Sequence, residues 1–402
     1  MRIGIYIQVP FCQTKCAYCN FHTGVFARSL YVPYADAVCR ELAEHAALYR
    51  AAGLATPGDV RVAGADVGAG FSPPGSLRVD TVYIGGGTPS LLEPPVLRRM
   101  LDTVRSAFVC ALEEVTLEAD PETVTTEKAA SWRDAGFDRI SLGVQSFNDA
   151  ELKAAGRMHR RGDVLAAVRL LRGAGFENLS FDLIAGLPHQ TTLTWEDTLE
   201  NICELRPQHV SIYLLEIDEG SRLGREVLAG GQRYSAAALP DDDAMVSFYE
   251  RARERLARAS YLHYEISNWC LPGFQSRHNL KYWERWPYLG FGAGAHSFNG
   301  RERWANAHDP AAYVAAIEQG RLPIEQRVEL TPQQALDEEL FLGLRQLEGI
   351  DVARLERQYN VNLCSRLAPL SEAGLIELSG ARARLAPSRL VVSNEVFVEL
   401  LG

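Results

Sequence analysis

The chain has 402 residues, 47% of them hydrophobic, with 51 acidic against 41 basic side chains and a net charge of −10. That length suits one or two sizeable domains plus a small one, and the acidic balance argues against a broad nucleic-acid-binding face, which needs a basic stripe. Eight cysteines are too few for a disulfide scaffold and point to a reducing compartment. Met1-Arg2 leads straight into strand residues with no secretory pattern. No apolar run approaches the ~18–20 residues of a membrane span. The cytoplasm is the expected location, and a peripheral membrane contact stays open.

Ile3 to Val9 is a short apolar run rich in β-branched residues and reads as the first strand. Pro10 ends it. The loop that follows holds Cys12, Cys16 and Cys19 at C-x3-C-x2-C spacing. Three thiolates from one loop suit three irons of a [4Fe–4S] cube and leave the fourth iron without a protein ligand. A metal with an open position can bind a substrate or cofactor. The competing readings are a partial zinc site and ordinary buried thiols. Zinc knuckles usually come in pairs, and no second pair follows. Cys39, Cys110, Cys203, Cys270 and Cys364 lie far apart and read as buried thiols. Helical spacing runs from Tyr31 to about Arg50. Residues 55–76, rich in Gly, Pro, Ala and Ser, read as a long surface loop.

A rhythm then sets in. Val79–Ile84, Glu114–Ala119, Arg139–Val144, Leu179–Ile184 and His209–Leu215 are short apolar runs. Helical patterns at Pro94–Phe108, Thr123–Asp134, Val164–Gly173 and Thr194–Leu205 lie between them. With the first strand this predicts six βα units, hence an α/β fold with a parallel sheet and helices outside. Six units predict an open partial (β/α)6 barrel, in which chemistry sits at the C-terminal ends of the strands. The unusual residues do fall there: the cysteine loop, Gly85-Gly86-Gly87-Thr88-Pro89, Glu118 with Asp120, Gln145, and Asp182 ahead of Gly186-Leu187-Pro188. Each has a plainer reading. A triple glycine is often a tight turn, Glu118 a solvated strand-end acid, Arg157 a surface base, and Gln145 and Asp182 buried polar caps.

Residues 1–240 are expected to form the barrel, 241–330 a linking region, and 331–402 a small module. Pro240-Asp241-Asp242-Asp243 can cap a helix running to about Ala259. Tyr261–Ser297 is dense in aromatics and glycines and contains His278-Asn279-Leu280-Lys281-Tyr282-Trp283, then His296. A histidine beside aromatics is more often a satisfied core residue than a ligand, yet imidazole and rings together also suit a porphyrin face. From Thr331 onward, helical patterns precede a short hairpin and a closing helix, a winged-helix-like arrangement. Its seven Arg, no Lys and ten acids argue against DNA binding.

The run Tyr6–Phe21, "YIQVPFCQTKCAYCNF", resembles the radical S-adenosylmethionine (AdoMet) proteins. Within them it is similar to the branch containing oxygen-independent coproporphyrinogen III oxidase (HemN) and the haem chaperone HemW family. "GGGTPS", "GVQSF", "GR-x-H" and "DLI-x-GLP" extend the resemblance over essentially the whole chain. It implies a [4Fe–4S] cluster on Cys12, Cys16 and Cys19. It implies AdoMet contacts at Tyr6, Tyr18, Gly86, Gly87, Thr88, Glu118, Gln145, Arg157 and Asp182. "HNLKYW" matches the H-N-x-x-Tyr-Trp motif of the HemW family, linked there to haem binding, and so implies His278 as axial haem ligand. His296 and Cys270 are secondary candidates. The oxidase carries a fourth cysteine where Phe21 stands here, and a long extension before the cysteine loop. The resemblance therefore favours a haem chaperone that delivers haem to acceptor haem proteins such as respiratory enzymes, with a homodimer left open. The oxidase and a HemN-like radical methyltransferase are the alternatives, and whether the chain is an enzyme stays open.

Overall fold

The computed structural model describes residues 1–55 and 77–401. The loop expected over 55–76 lies, apart from its first residue, outside the described residues. Six strands run parallel in chain order: β1 (Arg2–Val9), β2 (Arg78–Gly86), β3 (Val109–Ala119), β4 (Arg139–Gln145), β5 (Asn178–Ala185) and β6 (His209–Leu214). The six expected apolar runs are these strands. Helices Tyr31–Ala51, Pro94–Ala107, Thr126–Ala135, Arg161–Gly173 and Thr192–Leu205 cover their outer face. The sheet does not close, as expected for a partial barrel with six units.

The strands are buried on both faces, but by different chemistry. Side chains alternate across a strand. In β1, Ile3, Ile5, Ile7 and Val9 are fully buried on the helix side, while Gly4, Tyr6 and Gln8 face inward. In β4, Ile140, Leu142 and Val144 point out, and Arg139, Ser141, Gly143 and Gln145 line the lumen. In β5 the outward set is Leu179, Phe181 and Leu183; Ser180 and Asp182 point in. The outer face supplies the hydrophobic stabilisation. The inner face is left polar and partly open.

The segment 241–330 builds both edges of the same sheet. It contributes β7 (Leu262–Glu265), β8 (Asn268–Cys270), β9 (Tyr288–Phe291), β10 (His296–Phe298), β11 (Glu302–Asn306) and β12 (Ile324–Glu329). Strand β8 pairs antiparallel with β6, and β9 pairs parallel with β1. The sheet then reads β12-β11-β10-β9-β1-β2-β3-β4-β5-β6-β8-β7. These strands of three to six residues are too short for a period-2 pattern to stand out. Between β8 and β9, the short helix Arg277–Trp283 packs where the strands begin. The backbone N–H groups of Arg277 and His278 both donate to Glu114 at 3.0 Å, and Lys281 pairs with Asp80 at 2.8 Å.

The last module holds helices Pro332–Arg345, Val352–Tyr359, Cys364–Glu372 and Ser393–Leu401. It also holds a three-stranded sheet of β13 (Ile350–Asp351), β14 (Ile376–Ser379) and β15 (Arg382–Leu385). It docks through backbone bonds from Ile266 N to Arg345 O and from Leu347 N to Tyr264 O, each 3.1 Å. Glu338 bridges Arg285 and Arg303 at 2.7 and 2.8 Å. Among the described residues no helix is long and apolar enough to cross a membrane.

One buried acid ties the first helix to the added strands. Glu41 is 1% exposed and accepts hydrogen bonds from Tyr313 Oη at 2.6 Å, Gly292 N at 2.9 Å and Asn306 Nδ2 at 2.9 Å. Burial pushes its carboxyl up to about 7, against that lowering influence of its three donors. Glu41→Ala strands three buried donors, each costing about 1–3 kcal/mol, and is expected to lower stability by about 3 kcal/mol or more in urea unfolding. The raised folded pKa means the folded state keeps a proton that the unfolded chain releases above the ordinary carboxylate range. That contribution is complete at low pH and is lost as pH rises through about 7. The wild type is therefore expected to lose stability relative to Glu41→Gln between about pH 5 and pH 8, by about 3 kcal/mol at most.

Candidate cluster and cofactor site

The cysteine loop is tied down from three sides. Cys12 N donates to Gly24 O at 2.8 Å, and Ala17 N donates to Ala155 O at 3.0 Å. Leu223 N donates to Ala17 O at 2.8 Å, and the Arg222 guanidinium donates to Lys15 O. Below it runs the end of β2. Gly87 N donates to Val9 O at 2.8 Å and Thr88 N to Phe11 O at 2.7 Å. The glycines are required by this contact. A Cβ on Gly87 would stand 2.5 Å from Phe11 O and 3.0 Å from Cys12 Sγ; one on Gly86, where φ is +114°, would meet Gln8 at 2.5 Å. The run that reads as a ligand cradle is first a cradle for the cysteine loop.

Cys12, Cys16 and Cys19 line one cavity of about 480 Å³ at the C-terminal ends of the strands, and none is in a disulfide. Among the described residues no three His, Cys, Asp or Glu side chains converge closely enough to hold a single metal ion. Three thiols spread around a loop suit a polynuclear cluster, in which each takes its own iron. Burial pushes the Cys12 thiol up to about 11, so its proton stays until a metal displaces it. Arg157 Nη1 donates to Cys16 Sγ at 3.5 Å. The chemistry of this donor set fits the cluster.

The same cavity is walled by Tyr18, Gly86, Gly87, Thr88, Glu118, Gln145, Arg157 and Asp182. Glu118 accepts from Gly86 N at 2.8 Å and Tyr83 Oη at 2.7 Å. Burial, with nearby Asp182 adding to it, raises its carboxyl to about 7. Arg157 pairs with Asp120 and donates to Gly143 O at 3.0 Å; Asp120 also accepts from Thr88 Oγ1 at 3.0 Å. Asp182 accepts from Ser141 Oγ at 3.0 Å. Gln145 ends β4 at φ +64°, a backbone rare outside glycine and often found at functional sites. Tyr6 does not reach the cavity wall. It lies beneath, 6.0 Å from the Tyr83 ring, with its hydroxyl 2.5 Å from Gln8 Oε1.

His278 is not brought into this cavity. It is 1% exposed, with Nδ1 at 2.9 Å from Thr81 Oγ1 and Nε2 at 2.9 Å from Tyr282 Oη. Burial, then Lys281, lowers its pKa to about 3. In this arrangement it presents no free ring nitrogen to a ligand. Cys270 is fully buried in β8, and His296 is exposed on β10. The sequence reading did not single out Tyr83, Arg139, Ser141, Ser180 or Ser211, which also line the cavity, and gave Asp120 no role. For Tyr83, Arg139 and the three serines the signal was the period-2 alternation within β2, β4, β5 and β6, hidden inside runs read simply as apolar.

Residues 75–202 match the Radical SAM superfamily and residues 330–388 match the HemN C-terminal domain. The chain is 34% identical to a heme chaperone HemW of Mycobacterium tuberculosis, over 99% of this chain and 95% of that one. It is 31% identical to a heme chaperone HemW of Bacillus subtilis, over 99% and 98%. The solved structure of coproporphyrinogen III oxidase (HemN) from Escherichia coli superposes with a TM-score of 0.79 at 22% identity, covering 99% of this chain and 89% of that one; this likeness shows the fold. Full-length likeness to curated relatives above 30% identity, on a barrel with three cysteines at its mouth, places the chain in the haem chaperone HemW family of the radical AdoMet superfamily.

Proposed function

We propose that this protein is a haem carrier. It holds a [4Fe–4S] cluster on Cys12, Cys16 and Cys19 and AdoMet along Gly86–Thr88, Glu118, Gln145, Arg157 and Asp182, and it passes haem to acceptor haem proteins. The observation that carries the reading is position 21. The oxidase has a fourth cysteine there; here Phe21 is 67% exposed at the cavity mouth. An exposed phenyl beside the cysteine loop offers an apolar face to a porphyrin and no fourth thiolate. Bound AdoMet on the reduced cluster would supply a carbon-centred radical; the chain's own residues bind and orient it and limit water around it.

The deciding experiment is anaerobic reconstitution with iron and sulfide, followed by parallel titration with haem and with coproporphyrinogen III. A stoichiometric Soret shift with no decarboxylated product is expected. Conversion of coproporphyrinogen III to protoporphyrinogen IX would sink the carrier reading.

For the haem iron we retain His278 as the candidate ligand, on a condition set by its two hydrogen bonds: the helix Arg277–Trp283 has to loosen to release it. Tyr282→Phe frees Nε2 and is then expected to tighten haem binding several-fold, while His278→Ala removes the histidine-ligated Soret band. A Tyr282→Phe variant with a lower melting temperature and unchanged haem affinity would leave His278 as a core residue only.

Glu118 is assigned to the ribose hydroxyls of AdoMet, which an ionised carboxylate accepts best. Its pKa of about 7 gives the sign: ionisation, and with it AdoMet affinity, increases as pH rises from about 6 to 8. Equilibrium dialysis should show that rise in the wild type and a flat profile in Glu118→Gln.

A further inference from the structure

The lumen continues past the cysteine loop and its AdoMet contacts, and its far end carries charge that neither uses. Arg139 opens β4, is 2% exposed, and lines the cavity. Among the described residues its guanidinium has no salt bridge. Its hydrogen bond to Asn178 Oδ1 is long, at 3.4 Å, and its Nε has no partner. Asp182 and Asp138 lie near enough to feel its charge, yet neither hydrogen-bonds it: Asp182 accepts from Ser141 Oγ at 3.0 Å, and Asp138 from Val115 N at 2.8 Å. A buried guanidinium so poorly matched is costly to keep unless something else completes it.

A second guanidinium reaches the same cavity from the C-terminal module. Arg345 lines it, stacks over the Trp283 ring at 4.7 Å, touches Glu265 only at 3.4 Å, and also has a buried Nε without a partner. Ser276 and Asn279 complete this end. The HNLKYW helix therefore divides its labour: His278 packs into the sheet, and Asn279 faces the cavity. Arg139 lies six residues before Gln145 on one strand, roughly 20 Å at about 3.3 Å per residue. A group held by Arg139 thus sits at the opposite end of β4 from the cysteine loop.

We propose that the Arg139 end of the lumen is a carboxylate site, with Arg139 gripping the carboxylate and Arg345 and Asn279 flanking it. The planar guanidinium fork matches a carboxylate in two-pronged geometry. Two sources share this chemistry. One is a haem propionate, which rests on the haem-carrier reading. The other is a small free dicarboxylate.

The test uses the full chain with its cluster reconstituted. Haem, haem dimethyl ester and succinate are titrated in turn, read by the Soret band and by tryptophan fluorescence. For a propionate, haem binds the wild type about tenfold or more tighter than the diester. Arg139→Gln then binds haem as weakly as the wild type binds the diester, and Arg139→Lys, which keeps the charge and loses the fork, falls between. If haem and diester bind alike while succinate binds the wild type and not Arg139→Gln, the site takes a small carboxylate and the propionate assignment falls. If no porphyrin binds but succinate binding depends on Arg139, the site stands and the haem-carrier reading falls. If neither ligand senses Arg139 while haem still binds, the site is overturned and the haem-carrier reading survives. Circular dichroism and melting curves accompany each variant; should Arg139→Gln not fold, the haem-against-diester and succinate titrations of the wild type and of Arg139→Lys decide.

Discussion

Everything in this molecule depends on six parallel strands buried on both faces by opposite chemistries. Outward, rows such as Ile3, Ile5, Ile7 and Val9 are sealed under helices and give the hydrophobic stabilisation. Inward, Ser141, Ser180, Asp182, His209 and Ser211 wall a cavity. A closed eight-stranded barrel fills its interior with aliphatic layers. This open one leaves a lumen, and its polar groups must find partners in each other or in a ligand. The Tyr83–Glu118–Gly86 cluster and the Ser141–Asp182 pair are internal solutions.

The cysteine loop inherits its position from that frame. It leaves the end of β1 and lies on the end of β2, so close that Gly87 has no room for a Cβ. Arg157 joins the loop to β3 and β4 by touching Cys16, Asp120 and Gly143 together. The three cysteines are thereby held against rigid strand ends rather than on a free loop, the condition for a precisely placed site. Glu118 and Glu41 illustrate what burial does to an acid in such a fold. Both are raised to about 7, one facing the lumen and one locking the first helix to the strands after β8.

Much of the site was legible because strand ends are where this class of fold puts chemistry. Gly86, Gly87, Glu118, Gln145 and Asp182 were all singled out from position alone, and the structure gathers them with the three cysteines around one cavity. Asp120 stood in the same stretch, but its pairing with Arg157 spans 37 residues, and no local pattern encodes a contact of that reach. The segment 241–330 was hidden for a related reason. Its strands are short, and they take strand geometry only by hydrogen-bonding to β6, to β1 and to one another.

The sequence by itself determined the cysteine spacing, the order of six βα units and the residue types at each strand end, because period-2 and period-3.6 patterning and turn chemistry are local properties of the chain. Only the tertiary structure decided which way the HNLKYW helix faces. Packing against Thr81 and Tyr282 occupies both nitrogens of His278 and leaves Asn279 at the cavity. It likewise decided that Arg139 and Arg345, 206 positions apart in the numbering, share one chamber. Burial and the choice of partner are set by the whole packed fold, and a residue's identity fixes only what it is able to do once placed there.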